Sequence, residues 1–164
     1  MGAADAMSNR RKTTIVLGLF LAPLFVWYFV LNNVAVYRSI SLAPGTVTTQ
    51  DFHLNYSGYY RMGIQAERKL PHGQVEGSLG LEKVEDTPAL RYSWTLSCDG
   101  GKMTLSGSSE KIVGGAYARD WVETQFGGFE GKHWERCQLK IHFLGGGEGL
   151  SGANPKLRVY IELF

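Results

Sequence analysis

Apolar residues follow two different rhythms along this chain. At positions 13–31 they run together for 19 residues without a charge. From about residue 50 onward they alternate with polar residues. A helix of the first segment's length, rising about 1.5 Å per residue, matches a hydrocarbon core about 30 Å thick. The alternation that follows predicts half-buried β-strands.

The clearest strand covers residues 90–98. Leu90, Tyr92, Trp94, Leu96 and Cys98 share one face, and Arg91, Ser93, Thr95 and Ser97 the other. The same order recurs in Leu157, Val159, Ile161 and Leu163, in Cys137, Leu139, Ile141 and Phe143, and in Tyr60, Met62, Ile64 and Ala66. Phe52, Leu54 and Tyr56 make a shorter face. Asp99-Gly100 is a hairpin signal, Pro71-His72-Gly73 predicts another turn, and residues 145–155 a longer link. No segment of the domain sustains a helical period. The pattern predicts an all-β fold, a small antiparallel β-sandwich of immunoglobulin-like or jelly-roll type with about seven or eight strands, following one N-terminal transmembrane helix.

Charge orients that helix. Arg10, Arg11 and Lys12 precede the span and only Arg38 follows it closely, so the positive-inside rule places the N-terminus in the cytoplasm. Trp27 and Tyr28 fall near the outer end, where amphipathic rings favour the headgroup region. A cleaved signal peptide has a shorter apolar core and a small-x-small site; the nearest such site, Ser41-Leu42-Ala43, runs into Pro44. The expected organisation is therefore a basic cytoplasmic N-terminus (1–12), a signal anchor (13–31), a tether (32–49) and an extracytoplasmic β-domain (50–164). This is the layout of a single-pass inner-membrane protein with its domain in the periplasm.

Of 17 Lys and Arg against 15 Asp and Glu, four bases and one acid lie before Ser39, so the domain itself is close to neutral. Nucleic acid is not an expected partner. The 21 glycines favour short strands and tight turns. Cys98 and Cys137 both sit on the dry phase of their strands, and in an oxidising compartment they are expected to form a disulfide joining the two sheets.

Motifs for chemistry are sparse. Gly147-Glu-Gly-Leu-Ser-Gly152 matches a dinucleotide fingerprint by letter, but another strand follows where the motif needs a helix, so no nucleotide is expected. His53, His72, His133 and His142 lack metal-ligand spacing, and no metal or cofactor is expected. Asp120 and Glu123 are a possible carboxylate pair, though loop carboxylates are ordinarily solvated. The segment least explained by folding is 114–134, where aromatics lie among glycines and charges. Tyr117, Arg119, Asp120, Trp121, Phe129 and Trp134 are the candidate partner surface.

The layout resembles small proteobacterial envelope proteins with one anchor and a C-terminal β-sandwich, among them immunity proteins that neutralise toxins delivered to the periplasm. The resemblance is architectural and carries no residue across. The expected function is a non-enzymatic, membrane-anchored binding module for an envelope protein, either an inhibitor or a subunit of an envelope complex. A carbohydrate- or cell-wall-binding sandwich and an enzyme with a loop-borne site are the alternatives.

Overall fold

The computed structural model describes residues 33–71 and 73–162. The expected anchor and cytoplasmic segment lie outside these residues. Among the described residues no helix is long and apolar enough to cross a membrane.

Nine strands among the described residues form two antiparallel sheets. In chain order they are β1 (Val34–Ser39), β2 (Val47–His53), β3 (Gly58–Glu67), β4 (Arg91–Cys98), β5 (Met103–Ser108), β6 (Gly114–Tyr117), β7 (Trp121–Gly131), β8 (Arg136–Gly145) and β9 (Lys156–Ile161). One sheet has the order β1-β9-β3-β7-β6 and the other β2-β8-β4-β5. The period-two pattern is clearest in β4 and β8, which alternate exposed and buried residues along almost their whole length. The dry faces meet in one core. Tyr92 of β4 packs edge-on against Phe126 of β7 at 5.6 Å and against Phe143 of β8 at 6.4 Å, and Trp94 lies 5.8 Å from Phe126. Aromatic contacts thus join the two sheets at their centre.

Three expectations are corrected. Residues 34–39, read as tether, are strand β1, hydrogen-bonded to β9 from Val34 opposite Tyr160 to Ser39 opposite Lys156. Only Val36 of this edge strand is fully buried, so the alternation that marks other strands is faint here. The disulfide between Cys98 and Cys137 is present, but it does not join the sheets. The two residues are directly opposite in adjacent strands β4 and β8 of the same sheet.

Pro71-His72-Gly73 does not close a hairpin. It leads into a short helix, α1 (Gln74–Ser78), whose Val75 and Glu76 are buried, as is Leu79 behind it. The chain needs this excursion because β3 and β4 belong to different sheets. Residues 145–155 likewise carry the chain from one sheet to the other, through a 3-10 turn at Glu148–Ala153. Within the fingerprint-like run, Gly147 is where two backbone segments touch: a Cβ there would fall 2.6 Å from the Leu42 carbonyl oxygen. This accounts for the glycine by packing.

Candidate functional site

The outer face of the five-stranded sheet is where a polar surface is expected, yet part of it is sealed. Glu123 of β7 points away from the core and is 0% exposed. Arg158 of β9 donates to Glu123 Oε2 from Nη1 at 2.6 Å, and the Tyr160 hydroxyl donates to Oε1 at 2.8 Å. Gln125 Nε2 donates to the Tyr160 oxygen at 2.9 Å. The Arg158 guanidinium lies 4.5 Å from the Tyr160 ring and 5.6 Å from the Trp121 ring. Gly63 of β3 makes room for the carboxylate, since a Cβ there would meet Glu123 Oε1 at 2.7 Å. The buried carboxylate is thus held by one cation and one neutral hydroxyl beneath a lid of rings.

Burial, then the facing Glu123 charge, pushes the Tyr160 hydroxyl up to about 12. An unfolded tyrosine ionises near pH 10. Between about 10 and 12 the unfolded chain has lost a proton that the fold still holds, so stability falls as pH rises through this window. Melting temperatures across it should fall more steeply for wild type than for Tyr160→Phe. Equal slopes would show that Tyr160 contributes nothing to the alkaline loss.

Beside this cluster, at the end of the sheet, lies a cleft of about 360 Å³ walled chiefly by Tyr37, Gln65, Glu67, Asp120, Trp121 and Lys156. Lys156 Nζ donates to the Tyr37 hydroxyl at 3.1 Å and sits 4.7 Å from its ring. Asn154 donates to Glu67 at 2.8 Å, and Lys69 pairs with the same carboxylate. These partners hold the Glu67 carboxyl below its ordinary range, Lys69 first.

The β6–β7 hairpin forms one rim. Its turn, Arg119-Asp120, is closed by the Ala118 N–H donating to the Trp121 carbonyl at 2.9 Å. Arg68 clamps the turn from below. Its N–H donates to the Asp120 carbonyl at 3.0 Å, its Nη1 to the Ala118 carbonyl at 3.2 Å, and its Nε and Nη2 to Glu76 of α1 at 3.0 and 2.6 Å. The rim is therefore a fixed shape, although it is exposed.

The expected partner surface divides into three. Arg119, Asp120 and half-buried Trp121 lie on this rim, whereas Tyr117 (54% exposed), directly opposite core-facing Val122, takes the other face of the same hairpin. Phe129 is core, 3% exposed and stacked on Tyr60 at 5.5 Å. Trp134 is exposed, but beyond the opposite end of β7. Asp120 and Glu123 do not act as a pair, since Glu123 directs both oxygens to Arg158 and Tyr160 while Asp120 is in the exposed turn. Arg158, Lys156 and Tyr37 were not singled out by sequence; the first two lie on the outward phase of the last strand, and the third lay in the supposed tether. Among the described residues no group of three His, Cys, Asp or Glu is placed to hold a metal ion. The arrangement offers aromatic walls, fixed donors and fixed acceptors, which suits binding.

No family model matches the chain, and no curated protein does. A crystal structure of a protein from Sulfurospirillum deleyianum is similar, with a TM-score of 0.54 at 12% sequence identity, covering 79% of this chain and 98% of that one. At that identity the likeness concerns the fold alone.

Proposed function

We propose that this chain is a non-enzymatic, membrane-tethered binding module whose sandwich domain meets an envelope protein outside the cytoplasm. Residues 13–31 act as the signal anchor, and the cystine fits an oxidising compartment such as the periplasm. The strand order favours the jelly roll over the immunoglobulin-like sandwich: β1-β9-β3-β7 faces β2-β8-β4-β5, and β1 to β4 alternate between sheets, as do β7 to β9.

The observation that carries the reading is the clamped β6–β7 rim. Trp121 presents aromatic area on the outer face, beside Arg119 and Asp120 on a turn already immobilised by Arg68, and Tyr117 adds exposed area on the other face of the hairpin. Little ordering entropy is left to lose when a partner docks, and aromatic anchors with nearby charges are the usual hot-spot composition. Inhibition of an incoming toxin and assembly within an envelope complex are both versions of this function.

A second reading, a glycan- or cell-wall-binding sandwich, is favoured by the cleft itself. Trp121 and Tyr37 offer ring faces, and Gln65, Asn154 and Glu67 offer planar polar groups, in a volume suited to a small ligand. Affinity capture from solubilised membranes by the full chain, followed by titration of the recovered partner, tests both. Trp121→Ala is expected to weaken a protein complex by about 2 kcal/mol, near 30-fold in Kd, measured well below a melting temperature that falls somewhat because Trp121 also covers Arg158. Unchanged affinity removes the rim as the contact. Retention of cell-wall oligosaccharides by wild type, lost in the variant, turns the assignment to the glycan.

A further inference from the structure

The opposite end of the sandwich carries a feature that the rim and cleft do not use. Val34 lies opposite Tyr160, Tyr60 opposite Ile161, and Gly58 opposite Gly131, so the start of β1 and the loop after β7 share one end of the sheet. In that loop Trp134 has φ +65°, a left-handed backbone that a bulky L-residue rarely adopts. Hydrogen bonds hold it there. The Trp134 N–H donates to the Leu54 carbonyl at 2.8 Å, and the Glu135 N–H to the Lys132 carbonyl at 3.0 Å. The Lys132 N–H donates to Glu135 Oε2 at 2.9 Å, and the His133 N–H to Ser57 Oγ at 2.9 Å. The indole gains nothing from the core: at 71% it is the most exposed large hydrophobic side chain among the described residues, with the His133 ring 5.2 Å away. Folding favours glycine at this position and leaves the indole idle.

We infer that Trp134 is an interfacial contact, lying in the headgroup layer of the bilayer to which the chain is anchored. The inference rests on the reading of residues 13–31 as an anchor. Only Asn32 and Asn33 separate Leu31 from the start of β1, and a chain spans at most about 3.5 Å per residue. By chain length alone Val34, which begins β1 at this end of the sheet, can be no more than about 10 Å from Leu31, and Trp134 follows β7, three strands across the same end. Indole, amphipathic and large, is the side chain that such a layer favours. Lys102, Lys132 and Arg136 are exposed at the same end but are balanced by Asp99, Glu130 and Glu135, so the indole and not net charge carries the contact. The rim and cleft lie at the other end of β7, facing away from the surface that Trp134 touches.

The test uses the full chain in nanodiscs of phosphatidylcholine and phosphatidylglycerol, with and without acyl-brominated phosphatidylcholine. Emission of Trp134 is taken as wild type minus Trp134→Phe, which cancels Trp27, Trp94 and Trp121. It should be quenched strongly by the brominated lipid and shielded from aqueous acrylamide. Emission open to acrylamide and untouched by brominated lipid overturns the inference. So does shielding that appears only once envelope proteins are restored, which assigns the loop to a protein partner. Failure of wild type to co-elute with nanodiscs overturns the anchor and this inference together, whereas co-elution without quenching overturns this inference alone. A second variant, Trp134→Gly, should raise the melting temperature while remaining nanodisc-bound; a lowered one makes Trp134 a structural residue and overturns the assignment.

Discussion

Replacing Cys98 and Cys137 together by alanine lowers the unfolding free energy of the domain by about 4 kcal/mol. The bridge closes a loop of 39 residues, and the chain-entropy model assigns about that much to a loop of this length. Small domains have about 5–15 kcal/mol in total, so the loss is a large share. Both cysteines are buried, and the alanines also forfeit the packing of two sulfurs. Denaturant titration of wild type, of reduced wild type and of the double variant should give one high midpoint and two low ones. Thiol labelling of denatured, unreduced protein isolated from its native cells should find no free cysteine. Two labelled thiols, or coincident midpoints, would dispose of the expectation.

Arg158→Met is the second large effect. It leaves the wholly buried Glu123 carboxylate with Tyr160 as its remaining side-chain hydrogen-bond partner, and removing one member of a buried pair costs about 3–5 kcal/mol. The contribution is asymmetric. Replacing both members with apolar residues, as in Glu123→Met with Arg158→Met, should recover most of the loss, because no charge is then stranded. If Arg158→Met alone unfolds at the wild-type denaturant concentration, Glu123 is reached by water, and the sealed cluster is not what holds this face.

The strands were legible because one wet face and one dry face leave a period of two, and the apolar buried sets of β3, β4, β8 and, as far as Ile161, β9 are those the alternation gives, Leu163 lying outside the described residues. Within the segment 114–134, Val122, Thr124 and Phe126 form the dry face that periodicity suggests for them. Phase has limits, however. It told which face Cys98 and Cys137 occupy but not which strand lies beside which, so a bridge between sheets and a bridge between neighbours look alike in sequence.

Phe129 escaped for a related reason. The β3–β7 register slips between Met62 and Gly63, and beyond that irregularity a straight count from Trp121 no longer tells which side of β7 a residue takes. The Glu123–Arg158 cluster was illegible in another sense. Charges on an outward phase read as solvated, and only side chains from neighbouring strands, Trp121 and Tyr160 among them, close over them. Trp121 was singled out from the sequence, but the cleft that it lines depends on Tyr37 and Lys156, which reach it through the pairing of β1 with β9.

That pairing also decides how the domain answers to force. Val34 and Tyr160 face each other across the β1–β9 ladder, so a pull applied between Val34 and Ile161 loads its hydrogen bonds one after another instead of all at once. The domain should open like a zipper, at low load. Its extension should then stop short of the full contour, because the Cys98–Cys137 bridge withholds 39 residues, about 130 Å at about 3.4 Å each. Stretched from its two ends, the molecule is a weak link with a built-in stop.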